Sequence, residues 1–193
     1  MITADADVPA EFVRALEQLR DRRLRPEVRL TEIPAPARIA PYAVALTAEV
    51  HGDEDAGPGH EEPTTGRFVL LHDPAGQEAW DGTFRVVSLV RATLDPEAGA
   101  DPLLCEAAWT WVEDALAAPG VDAHAVGGTV TRVMSQSFGA LEERPAEVEV
   151  EIRASWSPRG DAGAHLGAWA TLLCTAAGLP PLPDGVTALG RRR

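Results

Sequence analysis

Two stretches of this chain, Gly66 to Pro96 and Gly128 to Pro158, are laid out on one plan: an apolar strand, a turn, a second strand and a proline. Aligned without gaps they share five of 31 positions, Gly66, Val86, Arg91, Ala92 and Pro96 matching Gly128, Val148, Arg153, Ala154 and Pro158. Each second strand ends on Arg-Ala-x-x-x-Pro, and each unit is followed by an apolar helix carrying Ala-Trp, at Ala108-Trp109 and Ala168-Trp169. A hairpin with one apolar face must bury that face against another layer. Two such units therefore predict one shared sheet with their helices side by side on one of its faces.

The strands are legible from their period. Tyr42 to Val50 alternates, with Tyr42, Val44, Leu46, Ala48 and Val50 on one side, as a half-buried strand does. Gly66 to His72 contains Phe68-Val69-Leu70-Leu71 and is apolar on both faces, so both must be covered. Thr83 to Leu94 sends Phe84, Val86, Val90, Ala92 and Leu94 one way and Arg85, Val87, Leu89 and Arg91 the other. Gly128 to Phe138 forms the next strand. Glu147 to Ser157 is one-sided, with Val148, Val150, Ile152, Ala154 and Trp156 inward. Prolines 26, 34, 36 and 41 forbid helix and predict an extended strap, with a short edge strand at Val28 to Ile33.

Three helices complete the order. The first spans residues 8–24, opened by Asp7 and Pro9, with Val8, Phe12, Ala15, Leu16 and Leu19 on one face. The second opens at Asp101-Pro102 and stops before Pro119-Gly120; the third runs from about Gly163 to Ala177 and ends at Gly178. The expectation is an α+β, two-layer domain over residues 1–180, order α-βββ-α-ββ-α, with a mostly antiparallel five-stranded sheet. Residues 51–65 read as a flexible acidic loop and 181–193 as a tail.

Charge narrows the function. The formal net charge is -13, which repels nucleic acid and anionic membrane, so neither is an expected partner. The basic run at Arg20, Arg22, Arg23, Arg25 and Arg29 reads as a helix end and salt-bridging surface, and Arg191 to Arg193 as a mobile tail. Cys105 and Cys174 sit in apolar helical segments without a Cys-x-x-Cys partner and read as core residues of a reducing, cytoplasmic compartment. The N-terminus has neither a basic nor an apolar leader region.

Candidate chemistry is sparse. The turn from His72 to Gly82 offers His72 as a base, with Asp73 or Asp81 to fix its tautomer and Trp80 beside them. No nucleophile motif accompanies it, and Asp-Pro and Asp-Gly are turn formers in their own right. The acids and histidines from His51 to Glu62 match no metal-ligand spacing, and no cofactor or metal is expected. Trp109, Trp111, Trp156 and Trp169 fall on inward faces and read as core. The better lead is the sheet face away from the helices, where Val69, Leu71, Val87 and Leu89 lie beside Arg85 and Arg91. Such a patch calls for cover by the first helix, a second copy or a partner.

The stretches Pro26 to Tyr42, Gly66 to Pro74 (Gly-Arg-Phe-Val-Leu-Leu-His-Asp-Pro), Trp80 to Val87 (Trp-Asp-Gly-Thr-Phe-Arg-Val-Val), Asp101 to Leu104 and Ile152 to Trp156 resemble an actinobacterial family, the domain of unknown function numbered three thousand. The element order is also similar to type III secretion chaperones and YbjN-like sensory-regulator domains. The resemblance implies a cytosolic actinobacterial protein without a known activity, hence no catalytic residues to carry over. The expected function is a non-enzymatic, chaperone-like protein-binding module, partnered by a protein or by itself as a homodimer. The alternative is a small enzyme or ligand binder at the His72 to Asp81 turn, which the family resemblance ties to RNA or haem metabolism.

Overall fold

The computed structural model describes residues 8–51, 63–144 and 146–180. The acidic run after His51 and the Arg191 to Arg193 tail lie outside the described residues.

Helix α1 covers Ala10–Asp21, shorter at both ends than the periodicity implied. The Pro9 carbonyl accepts from Phe12 and Val13 at 2.9 and 3.1 Å, and the chain turns extended at Arg22 (ψ 119°). Strands β1 (Val28–Ile33), β2 (Tyr42–Val50), β3 (Thr64–Gln77) and β4 (Gly82–Leu94) follow. After a one-turn helix α2 (Pro96–Gly99) come α3 (Leu104–Leu116), β5 (Asp122–Ser135), β6 (Glu147–Arg159) and α4 (Ala162–Ala176). The sheet is antiparallel throughout, in the order β1-β2-β3-β4-β6-β5.

The class is the expected α+β, but the sheet has six strands, not five. The Val28–Ile33 segment is a true edge strand paired with β2 from Val28↔Val50 to Ile33↔Ala45. Strand β5 also begins six residues before Gly128, at Asp122, and stops at Ser135 rather than Phe138. Its register shifts between His124 and Gly127, where Ala125 takes φ 48°. An irregularity of this kind breaks the period-2 pattern by which a strand is recognised.

The two similar units meet in the centre of the sheet. Strands β4 and β6 pair Leu89↔Arg153, Val90↔Ile152 and Arg91↔Glu151. In the sequence alignment Arg91 corresponds to Arg153, Val90 to Ile152 and Leu89 to Glu151. The pairing thus maps onto itself, and a pseudo-two-fold axis passes between Val90 and Ile152. The helices cross over that axis. Helix α3, which follows the first unit, packs on β5 of the second, and α4 packs on β3 and β4 of the first. Consequently Trp169 lies against Gly66 and Trp109 against Gly128: each unit's tryptophan covers the other unit's glycine.

Helix α4 sits between α1 and α3 in the helix layer and is buried nearly all round. Its Asp161 cap accepts from Gly163 N at 2.9 Å. Gly178, at φ 74°, lets Leu179 N reach back to Cys174 O at 2.9 Å, the left-handed stop that glycine permits. Between the layers Phe68, Leu70, Val86, Val90, Val150, Ile152, Trp156, Leu166, Trp169 and Leu173 make the main core. Removing such apolar surface from water is worth about 25 cal/mol per Å² and is the chief force holding the layers together. Helix α1 packs on α4 and buries Phe12, Ala15 and Leu19, with Phe12 against Tyr42 and His72 of the sheet, so it belongs to the helix layer and leaves the opposite sheet face to other cover.

Candidate binding face on the sheet

The face away from the helices is organised in rows that run across the strands. One row is Thr47, Arg67, Leu89, Arg153 and Thr129; the next is Ala45, Val69, Val87, Ser155 and Gly127. Apart from Thr47 and Ala45, these residues line an open groove of about 410 Å³. Its floor is Val69, Val87 and Leu89, and the charged residues lining it are both arginines, Arg67 and Arg153. With strands about 4.8 Å apart, those two backbones stand roughly 10 Å apart on either side of Leu89.

The apolar patch expected here is smaller than the pattern implied. Leu71 and Val69 are covered by Trp80 and Ala45, with Ile33, Ala40 and Ala43 of the strap region packed around them. Val87, 42% exposed, and the half-buried Leu89 remain at the surface. Strand parity alone cannot foresee a strap that folds back over one end of a face.

The arginines divide into three kinds. Arg85 is a structural tie: its guanidinium donates to Ala125 O at 2.9 Å, Ser157 Oγ at 3.1 Å and Ser155 Oγ at 2.7 Å. It pins the irregular turn of β5 and spends three of its five N–H donors doing so. Arg91 and Arg153 share one carboxylate, Glu151, at 2.5 and 2.7 Å. Glu151 is nearly buried while its partners are at least half exposed, and the hydrogen bond from Arg91 holds that guanidinium's pKa above its ordinary value. Arg67 makes no hydrogen bond or ion pair among the described residues. It was legible in principle, since it shares parity with Val69 and Leu71 in the strand the alternation identifies.

The His72 to Asp81 turn is built differently from a catalytic dyad. Strand β3 continues through it to Gln77, and His72 points into the helix side of the sheet, fully buried. Its ring stacks on Phe84 and Phe12, with centroids 4.2 and 5.7 Å away, and Tyr42 lies beside it. Nδ1 faces Thr83 O at 3.0 Å and therefore carries a proton. The carboxylate near Nε2 is Glu11 of α1, 3.2 Å away but off the hydrogen-bonding direction. Neither Asp73 nor Asp81 meets His72. Asp73 accepts from Ala75 N and Gln77 Nε2, both at 3.1 Å, and closes the turn. Asp81 takes a left-handed conformation (φ 51°) and is exposed, with His124 Nε2 3.7 Å and Arg159 3.9 Å from its carboxylate. Trp80 is buried, and its carbonyl accepts from Ser157 Oγ.

His124, His165 and both cysteines are structural. Trp156 Nε1 donates to His165 Nδ1 at 3.1 Å, and His165 Nε2 faces Arg159 O at 3.2 Å. One nitrogen accepts and the other donates, so His165 is neutral, and burial lowers its pKa. His124 Nε2 donates to Asp81 O at 2.9 Å. Cys105 and Cys174 are free thiols, and burial raises the pKa of Cys174. Among the described residues no group of three or more His, Cys, Asp or Glu could hold a metal ion, and no helix is long and apolar enough to cross a membrane.

Fold and face together define an α+β, two-layer protein with one helix-covered and one partly open sheet face. The chain belongs to the family described as "Protein of unknown function (DUF3000)", whose model matches residues 8–187. No curated protein and no solved structure matches it.

Proposed function

We propose that this chain is a protein-binding module of the chaperone-like kind, which holds an extended segment of a partner protein in the open-face groove. The observation that carries this reading is Val87, exposed in mid-sheet, with Leu89 beside it on β4 and Arg67 and Arg153 facing Leu89 across the strands. A surface valine in the centre of a sheet gains by losing its water. An unpaired guanidinium nearby offers a planar fork to a carboxylate. The segment that fits is aliphatic at its centre and carries Asp or Glu on either side. In a chain of net charge -13, a groove whose charged lining is two arginines selects for acidic groups over the rest of the surface.

A random peptide library displayed on phage tests this. Selection on the intact chain should enrich peptides with acidic residues bracketing an aliphatic pair, and Arg67→Glu should abolish that enrichment. Absence of a consensus, or a consensus unchanged by Arg67→Glu, would overturn the reading. So would a dimer in sedimentation that Val87→Asp dissociates, because the groove would then be filled by a second copy.

A further inference from the structure

The two edges of the sheet are not alike. Strand β1 is six residues long, carries Arg29 and Glu32 and is stopped by Pro34. Short length, charge and proline are the devices that keep an edge from pairing with another chain. Strand β5 is 14 residues long and has no proline. Its inner side pairs with β6, and its outer side has no strand partner among the described residues.

Composition sets β5 apart further. From Ala123 to Leu141 the sequence contains no carboxylate, although the whole chain has 30. The cation on the strand, Arg132, is turned toward the helix layer, where it donates to Gly99 O at 3.2 Å and Asp101 O at 2.7 Å. Large apolar side chains are exposed along the same stretch: Val126 42%, Val133 47%, Met134 58%, Phe138 73% and Leu141 48%. A long, apolar edge free of carboxylates from Ala123 onward is a template for strand addition.

We infer that β5 is the self-association edge of this protein, pairing antiparallel with β5 of a second copy. The occupant follows from charge. Two copies that each carry -13 repel one another, so an isologous contact forms where acid is absent, and that is the β5 edge. With Arg132 turned to Gly99 O and Asp101 O, the apolar remainder of the edge is also complementary to itself, as a two-fold contact demands. Antiparallel pairing of identical edge strands places the two-fold axis normal to the sheet. The two six-stranded sheets join into one, and both open faces look the same way. The grooves then lie on a single continuous surface, since Gly127, Gly128 and Thr129 of β5 line the groove in each copy. The pairing depends on the strand edge and holds whatever the groove binds.

Sedimentation velocity of the full chain tests it. The wild type should be a dimer at micromolar concentration. Thr131→Asp with Val133→Asp, which brings carboxylates of the two copies together across the paired edge, should yield a monomer with unchanged far-UV circular dichroism. Leu30→Asp on β1 and Val87→Asp in the groove should both remain dimeric. Hydrogen exchange on the unmodified chain supplies a second reading. Amides between Gly127 and Ser135 should exchange at least about tenfold more slowly in concentrated than in dilute protein, as a bimolecular equilibrium requires. A wild-type monomer, a dimer that survives the β5 substitutions, or exchange at β5 independent of concentration would each overturn the inference.

Discussion

Gly66 and Gly128 stand at corresponding places in the two units, and adding one methyl group at each probes how the helices cross the sheet. A Cβ on Gly66 would lie 2.7 Å from Trp169 Cζ2, 2.8 Å from Leu173 Cδ2 and 2.9 Å from Leu89 O. Most real Cβ contacts sit beyond about 3.4 Å, so three neighbours must each yield by about half an ångström or more in a close-packed interior. Overpacking of this kind costs about 1–3 kcal/mol, and Gly66→Ala is expected near 2 kcal/mol. At this chain length that lowers Tm by about 4–8 °C. A Cβ on Gly128 would meet Arg153 O at 2.1 Å and Trp109 Cζ3 at 2.8 Å. Both sites meet a backbone carbonyl, but at Gly128 it is the closest atom, at 2.1 Å against 2.9 Å at Gly66, and backbone yields less readily than a side-chain tip, so Gly128→Ala should cost about 3 kcal/mol or more. The partners separate the two cases. Trp169→Leu removes the closest atom facing Gly66, and the Gly66→Ala/Trp169→Leu pair should show a favourable coupling of about 1 kcal/mol. Trp109→Leu leaves the carbonyl clash in place and should rescue Gly128→Ala little. Differential scanning calorimetry of the singles and doubles measures all four values. A neutral Gly66→Ala, or rescue of equal size at both sites, would show that the crossed tryptophan–glycine contacts do not set the layer spacing.

The remaining expectations are shorter. Asp161→Ala removes the acceptor for Gly163 N and should cost about 1 kcal/mol in urea denaturation. His165 is neutral in the fold and its pKa is lowered by burial, so its contribution to stability is present above the ordinary histidine pKa of about 6.5 and fades as pH falls below it. Denaturation midpoints from pH 7 to 5 should therefore drop less in His165→Gln than in the wild type; equal slopes would refute the assignment. Glu151→Leu puts the first unit's residue at its counterpart in the second. Because Arg91 and Arg153 are largely solvated, it should change stability by less than about 1 kcal/mol. A loss several times larger would mean the shared carboxylate anchors the sheet.

Much of the architecture could be read from the chain because it rests on local periodicity. Alternation placed the inward residues of β2, β4 and β6 correctly, and Gly178 and the prolines marked element ends through conformational rules that act within a few residues. The two units announced a shared sheet. Strand β1 was harder, since only Val28 among its six residues is buried, and an edge strand with one anchored residue carries little period-2 signal. The start of β5 was lost to the irregularity between His124 and Gly127.

The site was less legible, and for one reason. Which strands become neighbours is decided by long-range pairing, and the sequence does not state it. Parity alone put Val69, Leu71, Val87 and Leu89 on one face, yet Trp80 and the strap cover two of them. Arg85 looked available and is consumed by Ser155, Ser157 and Ala125, three acceptors at least 40 residues away. His72 looked set to meet a neighbouring aspartate, but period-2 geometry turns it to the opposite face, where the first helix supplies the nearest carboxylate.

The amino-acid order by itself therefore determined the elements, their inward faces and the repetition of one hairpin-and-helix plan. The tertiary structure decided how the copies meet: second strands side by side, helices exchanged across a pseudo-two-fold axis, and one face left with an exposed Val87 next to a half-buried Leu89 that lies between two arginines. Local patterning records the burial of each residue within its own element. The choice of neighbour depends on summed packing between elements distant in the chain, where Gly66 finds Trp169 and Gly128 finds Trp109, and no spacing rule reaches that far.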